Sequence, residues 1–368
     1  PIPNPQSPIK NQSRYIKLKL LNKYLKRSLF FILYKKMEYT TLGKSGIKIS
    51  RICLGAMTFG HGNMVLEGKS TPTPWLLNQE QTDEMVKTAL DNGINFFDTA
   101  NCYNQGTSEI FLGKSLKKYA KREDVVIATK VRFNEGELSP EAIERECNES
   151  LKRLDTNYID LYIIHRYDYK HPFEDTMKTL DKLVKEGKVK ALGCSAMFPY
   201  QLYKYNEYAR KNNLTPFVSI QNHYNLIYRE EEREMTQLID EEGMVMTPYS
   251  PLAAGRIAKY HDESSTRTKE DSFAKMKYDG NKEIDAPIIE RVHELSEKKK
   301  IPMGQISMAW LLSKKNVASP IVGVTKISHL MDAIKAVGVK LTEEEIKYLE
   351  EPYQPHKVVG ALKREQQK

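Results

Sequence analysis

The chain has 368 residues, 40% hydrophobic and 29% charged, enough for one large domain or two ordinary ones. Its net charge of +9 resembles a nucleic-acid signature only until it is located: residues 1–36 hold nine Lys/Arg and no acid, and residues 37–368 carry as many bases as acids. A neutral body has no bulk attraction to phosphate backbones, and four scattered cysteines without a Cys-x-x-Cys pair exclude a disulfide framework and a zinc signature.

Residues 1–36 stand apart in composition. Their apolar run, Leu29–Tyr34, is too short to span a bilayer, which takes roughly 20 apolar residues, and no small-x-small cleavage site follows it. The expectation is a basic leader, disordered or foreign to the native protein, with Met37 as the natural start and one domain over 37–368. Neither a membrane nor a nucleic acid is expected as partner. A reducing cytoplasm is the default location.

From Thr40 a hairpin pattern runs to Ser50, turning at Lys44-Ser45. Eight apolar runs follow: Ile52–Leu54, Asn95–Thr99, Val125–Thr129, Tyr158–Ile164, Lys190–Cys194, Val218–Gln221, Met244–Tyr249 and Pro320–Val324. Most are nearly continuous in apolar residues, as for parallel strands buried on both faces. Helical patterns lie between them. Asn78 caps one that ends at Asn92-Gly93, Ser139-Pro140 starts a second, and Pro172 starts a third that stops at Gly187. A polar stretch from Arg256 to Asp285 interrupts the unit after the seventh run. The alternation predicts a (β/α)8 TIM barrel with an N-terminal β-hairpin and extra C-terminal helices. A doubly wound sheet is the competing architecture. It lacks its glycine fingerprint, because Gly60-His61-Gly62 has Val65 at the third glycine position.

Barrel enzymes keep their chemistry at the C-terminal ends of the strands. Asp98 closes the second run, with Tyr103 five residues on; Lys130 follows the third and His165 the fourth. Singly, each has an ordinary explanation: a turn cap, a packed ring, a solvated strand end, a core histidine. Together on one rim they form a candidate catalytic set.

This set, in order with its neighbours, resembles the aldo-keto reductase family, in a branch akin to bacterial and fungal members related to potassium-channel β-subunits. The motifs are Asp98-Thr99-Ala100-Asn101-Cys102-Tyr103, Thr129-Lys130, Tyr158 to His165, Gly193-Cys194-Ser195, Gln221-Asn222, Tyr249-Ser250-Pro251-Leu252 and Gly323-Val324-Thr325-Lys326. The resemblance spans about Thr41 to Tyr353. It implies an NADP(H)-dependent oxidoreductase acting on a small carbonyl substrate, with Tyr103 as proton donor, Lys130 lowering its pKa, Asp98 holding Lys130 and His165 polarising the carbonyl. Lowering a phenol by three units takes about 4 kcal/mol. An ammonium about 4 Å away supplies about that at an effective dielectric of 20.

For the cofactor, the resemblance implies Tyr249 stacked on the nicotinamide, Ser195 and Gln221 on its carboxamide, and Met57 beside it. Ser250, Pro251, Leu252 and Gly255 would wrap the pyrophosphate, and Gly323, Thr325, Lys326 and His329 would hold the 2′-phosphate. No metal is required, and the eight histidines form no H-x-H or H-E-x-x-H. The chain departs from the family pattern where Ala196 replaces a common Asn, where His329 replaces Arg or Gln, and at Asp332-Ala333. A largely neutral His329 implies a looser grip on the 2′-phosphate and a relaxed preference that admits NAD. Specificity is expected in Phe59 to Asn78, which includes Trp75, in Arg166 to His171, and in Met197-Phe198. A weakly catalytic, cofactor-binding regulatory module is the alternative function.

Overall fold

A computed structural model describes residues 37–66, 69–71, 73, 75–260 and 272–358. The leader, Glu67, Gly68, Pro72 and Pro74 of the expected specificity segment, residues 261–271 of the polar stretch and the tail from 359 lie outside the described residues.

The chain opens with an antiparallel hairpin, β1 (Tyr39–Thr41) on β2 (Lys48–Ser50), with Tyr39 opposite Ser50. Gly46 turns it at a φ of 75°, a backbone shape that L side chains resist. The first barrel strand is β3 (Cys53–Gly55). A small antiparallel pair follows, β4 (Met64–Leu66) with β5 (Lys69–Thr71), inside the segment where specificity is expected. Helix α1 (Gln79–Asp91) starts at Asn78, whose side chain accepts from Gln81 N while Gln81 reaches back to the Asn78 N–H.

From there strand and helix alternate: β6 (Phe96–Asp98), α2 (Thr107–Tyr119), β7 (Val126–Val131), α3 (Pro140–Leu154), β8 (Ile159–Ile164), α4 (Phe173–Lys185), β9 (Val189–Ser195), α5 (Pro199–Lys211), β10 (Phe217–Gln221), α6 (Met235–Glu242) and β11 (Val245–Met246). Within the stretch from Arg256, expected as an interruption, the chain forms α7 (Ser272–Tyr278) and the start of α8 (Lys282–Lys299). Then come α9 (Met303–Ser313), β12 (Ile321–Gly323), α10 (Ile327–Ala336) and α11 (Glu343–Glu350).

The eight barrel strands are all parallel, in the order β11-β10-β9-β8-β7-β6-β3-β12. Backbone bonds between the two end strands' neighbourhoods close the sheet: Met246 N to Asn316 O (2.7 Å), Ala318 N to Met246 O (2.9 Å) and Ile321 N to Pro248 O (2.8 Å). The Arg51 guanidinium donates to the Leu312 and Ala318 carbonyls at 2.6 and 2.9 Å, tying the first barrel strand to the last.

The strand period of two fixes what faces the interior. Cys53, Phe96, Val126, Ala128, Leu161, Ile163, Ala191 and Ile321 pack together there, with Leu42 and Ile49 of the first hairpin joining the same cluster. The alternate positions, such as Leu54, Phe97, Ile127, Tyr162, Ile164 and Leu192, pack in the clusters that include the helices. No helix among the described residues is long and apolar enough to cross a membrane.

Candidate functional site

Continuing the interior register upward carries polar side chains to the C-terminal rim. Phe96 leads to Asp98, Ala128 to Lys130, Ile163 to His165, Ala191 through Gly193 to Ser195, and Ser219 to Gln221. The same alternation that builds the core therefore places five of the sequence candidates in one layer.

The Lys130 side chain is fully buried. Its Nζ donates to Asp98 Oδ1 at 2.6 Å and to the Thr99 carbonyl at 2.7 Å, and lies 3.3 Å from the Tyr103 hydroxyl. The Tyr103 and His165 rings meet edge to face at 5.8 Å. The four candidates are thus brought together. Gln221 Nε2 donates to Asp98 Oδ2 at 3.0 Å, and the Ser195 hydroxyl donates to the Gln221 carbonyl at 2.8 Å, so these two join the same network.

Tyr103 rides on a tight turn. Asn104 and Gln105 have φ of 50° and 57°, and Asn104 Nδ2 donates to the Met57 and Phe59 carbonyls at 2.9 and 2.8 Å. Those bonds clamp the tyrosine's loop to the loop after β3, where Met57 sits half-buried.

Electrostatics corrects one sequence expectation. Burial pushes the Tyr103 phenol up to about 12, opposed by Lys130 and assisted by Asp98. The ammonium's field does not lower the phenol to neutrality, because desolvation of the phenolate outweighs it and Asp98 offsets it. Lys130 is itself raised, with the Asp98 carboxylate overcoming its burial, and so stays charged. Burial, then Lys130 and Arg166, hold the His165 imidazole well below its ordinary value, so it is neutral at pH 7.

The cofactor candidates occupy the same rim. Tyr249 stacks in parallel on His223, 5.4 Å between ring centres and 9° between planes, and its buried hydroxyl has no hydrogen-bond partner among the described residues. Beyond it the backbone at Ser250, Ala253, Ala254 and Gly255 turns through φ of 54°, 50°, 55° and 96°. Pro251 is buried there, and Leu252 packs against two of the core clusters. Gly323, at the end of β12, is exposed, with open space where a Cβ would project. Thr325 and Lys326 lead into the N-terminus of α10, and His329 lies in its first turn. Desolvation and the Lys326 and Lys259 cations lower the His329 imidazole, in keeping with the neutral state expected for it.

Several residues escaped sequence reasoning. Asn222 Nδ2 donates to the Met197 carbonyl and to Glu231 Oε2 at 3.2 and 2.7 Å, leaving a buried Oδ1 without a partner among the described residues. Burial lifts the Glu231 carboxyl to about 7. Cys102 Sγ lies 3.8 Å from His165 Nδ1. The Gln221-Asn222 dipeptide at a strand end was the available signal for the first; nothing local announced the other two. Trp75 is half-buried with its Nε1 unpartnered among the described residues. Past α11 the chain is docked through polar contacts up to His356, whose Nε2 lies 2.8 Å from Asp285 and whose N–H donates to Glu230 Oε1 at 2.6 Å. Among the described residues no group of three or more His, Cys, Asp or Glu is placed to hold a metal ion.

A parallel barrel whose rim buries an ammonium between a carboxylate and a phenol, beside a neutral imidazole, has the form of an enzyme site that holds and hands over a proton. The family model described as the Aldo/keto reductase family matches residues 51–354. An aldo-keto reductase of Fusarium vanettenii is 36% identical over 88% of this chain and 93% of its own length. The versiconal hemiacetal acetate reductase of Aspergillus parasiticus is 38% identical over 87% and 98%. A Schizosaccharomyces pombe protein named as an aryl-alcohol dehydrogenase is 37% identical over 88% and 98%. The chain belongs to the aldo-keto reductase family, and is an oxidoreductase of carbonyl or alcohol substrates. The family generally uses nicotinamide cofactors.

Proposed function

We propose that the chain is an NADP(H)-dependent reductase of aldehydes and ketones in which Tyr103 gives the proton and takes it back in the alcohol direction. The observation that carries this reading is the buried Lys130 ammonium, bonded to Asp98 and 3.3 Å from the Tyr103 hydroxyl.

A proton donor must hold its proton until the carbonyl oxygen gains charge. A phenol near 12 does so at neutral pH. As the proton leaves, the adjacent ammonium stabilises the phenolate, and Asp98 keeps that ammonium in place. His165, uncharged, orients the carbonyl oxygen. Cys102 flanks it: burial raises the thiol to about 12, so a neutral S–H group lies 3.8 Å from Nδ1.

The nicotinamide, when bound, supplies or accepts the hydride. Tyr249 would lie against its ring, with Met57 beside it and Ser195 and Gln221 on its carboxamide. The turn from Ser250 through Pro251 and Leu252 to Gly255 would take the pyrophosphate on its backbone N–H groups. Gly323, Thr325, Lys326 and His329 would hold the 2′-phosphate at the α10 N-terminus, where anions are favoured. The parallel Tyr249–His223 stack and the run of positive-φ residues support that fit. A neutral His329 supports a relaxed preference that admits NAD.

The test is nicotinamide oxidation across a panel of aldehydes and ketones. Aryl aldehydes come first, in view of the relative named for aryl alcohols. Tyr103→Phe should lower kcat by roughly 10²–10⁴-fold while NADPH still binds. Full activity in that variant, or no turnover of any carbonyl by the parent, removes the reading. NADPH should be preferred over NADH by less than roughly a thousandfold; the full ladder of charge-assisted contacts would exceed that.

A further inference from the structure

Arg166 follows the His165 position directly and is half-buried. One of its donors is committed: Nη1 bonds to the His165 carbonyl at 2.9 Å. A guanidinium has five. Its carbon lies 5.8 Å from the Phe133 ring centre, and the edge-to-face contact of Phe133 with His165 spans 5.0 Å. Arg166 therefore stands one aromatic ring away from the imidazole.

No carboxylate lies within ion-pair distance of Arg166 among the described residues. Three acids of the neighbouring loops, Asp168, Glu137 and Glu231, are engaged with other partners. Asp168 accepts from Leu138 N, Lys170 N and the His171 ring. Glu137 holds Arg132 and Lys170, and Glu231 accepts from Asn222. Arg132, the other guanidinium against Phe133, has Glu137 at 3.3 Å; Arg166 has no such partner. Through Phe133 it flanks the imidazole at the strand-end rim, on the loop that leaves β8. A half-desolvated guanidinium without a counter-charge, in a site that takes small molecules, matches a planar anion.

We propose that Arg166 is a specificity-determining residue that binds a carboxylate on the carbonyl substrate, so that the site favours aldehydes and ketones bearing an acid group. The proposal rests on the reductase reading above. The test compares 4-carboxybenzaldehyde with its neutral amide, 4-carbamoylbenzaldehyde. The parent enzyme should show a lower KM for the acid. Arg166→Met should raise that KM by roughly tenfold or more. It should leave KM for the amide, kcat and the NADPH dissociation constant within about twofold, and Arg166→Lys should recover part of the loss.

An equal loss on both aldehydes would reduce Arg166 to a support for the His165 backbone and overturn the proposal. Weakened NADPH binding would assign the guanidinium to the cofactor and also overturn it. Calorimetric titration of the NADP-loaded protein with 4-(hydroxymethyl)benzoate and its amide separates the two readings. Selective binding of the acid, lost in Arg166→Met but without turnover, sinks the reductase reading alone. Equal binding of acid and amide by the parent sinks this one.

Discussion

Ala196 holds a φ of 46°, left-handed backbone that costs a β-carbon residue about 1–2 kcal/mol. Family members commonly carry Asn there, a residue that tolerates this conformation. Ala196→Gly should therefore stabilise the protein by about 0.5–1 kcal/mol, after the extra freedom of glycine in the unfolded chain is counted, read as a higher urea midpoint. Glu231 stores a different strain. Its carboxyl is lifted from 4.5 to about 7, so the fold disfavours its ionised form. That penalty is absent below about pH 4.5, grows between the two values and is complete above pH 7. Glu231→Gln keeps an acceptor for Asn222 and removes the charge. It should be more stable than the parent by about 2 kcal/mol at pH 8, discounted for partial solvent access, and the gap should close toward pH 4.5. A pH-independent difference would mean that packing, not ionisation, sets the effect.

Among the elements, α2 lies tight against the end of α3 at Gly113. A Cβ there would lie 2.5 Å from the Leu154 carbonyl oxygen, which is backbone and cannot swing aside. Gly113→Ala should destabilise by about 1–3 kcal/mol despite the better helix propensity of alanine, measured by chemical denaturation. The eight barrel strands were legible because they are short apolar runs separated by helical patterns, some with clear starts such as Asn78 and Ser139. The β4–β5 pair was not, since β5 is the polar run Lys69-Ser70-Thr71 and offers no apolar stretch to be seen. Helix α8 was hidden by Pro287 inside it and by dense charge along Lys282–Lys299. The catalytic candidates were readable as strand ends. The direction of the Tyr103 shift was not, because burial depth is a tertiary property, and neither was the meeting of Cys102 with His165 across 63 positions of sequence.

At the scale of the whole molecule, closure of the cylinder is uneven. Strands β7, β8 and β9 share long ladders, whereas β11 is two residues long and meets the last strand's approach through a few backbone bonds around Met246. The loops proposed to grip the cofactor's phosphates leave from the two sides of that thin junction, Ser250–Gly255 after β11 and Gly323–His329 after β12. A dinucleotide held by both would lace the barrel along its weakest line. Amide hydrogen exchange at Met246, Ala318 and Ile321 should then slow on adding NADP far more than exchange within β7 and β8. The melting temperature should climb with cofactor concentration, by the equivalent of about 2.7 kcal/mol at a hundredfold excess over the dissociation constant. On this view the apoprotein breathes at one stave of the cylinder, and the coenzyme acts as the hoop that draws it shut.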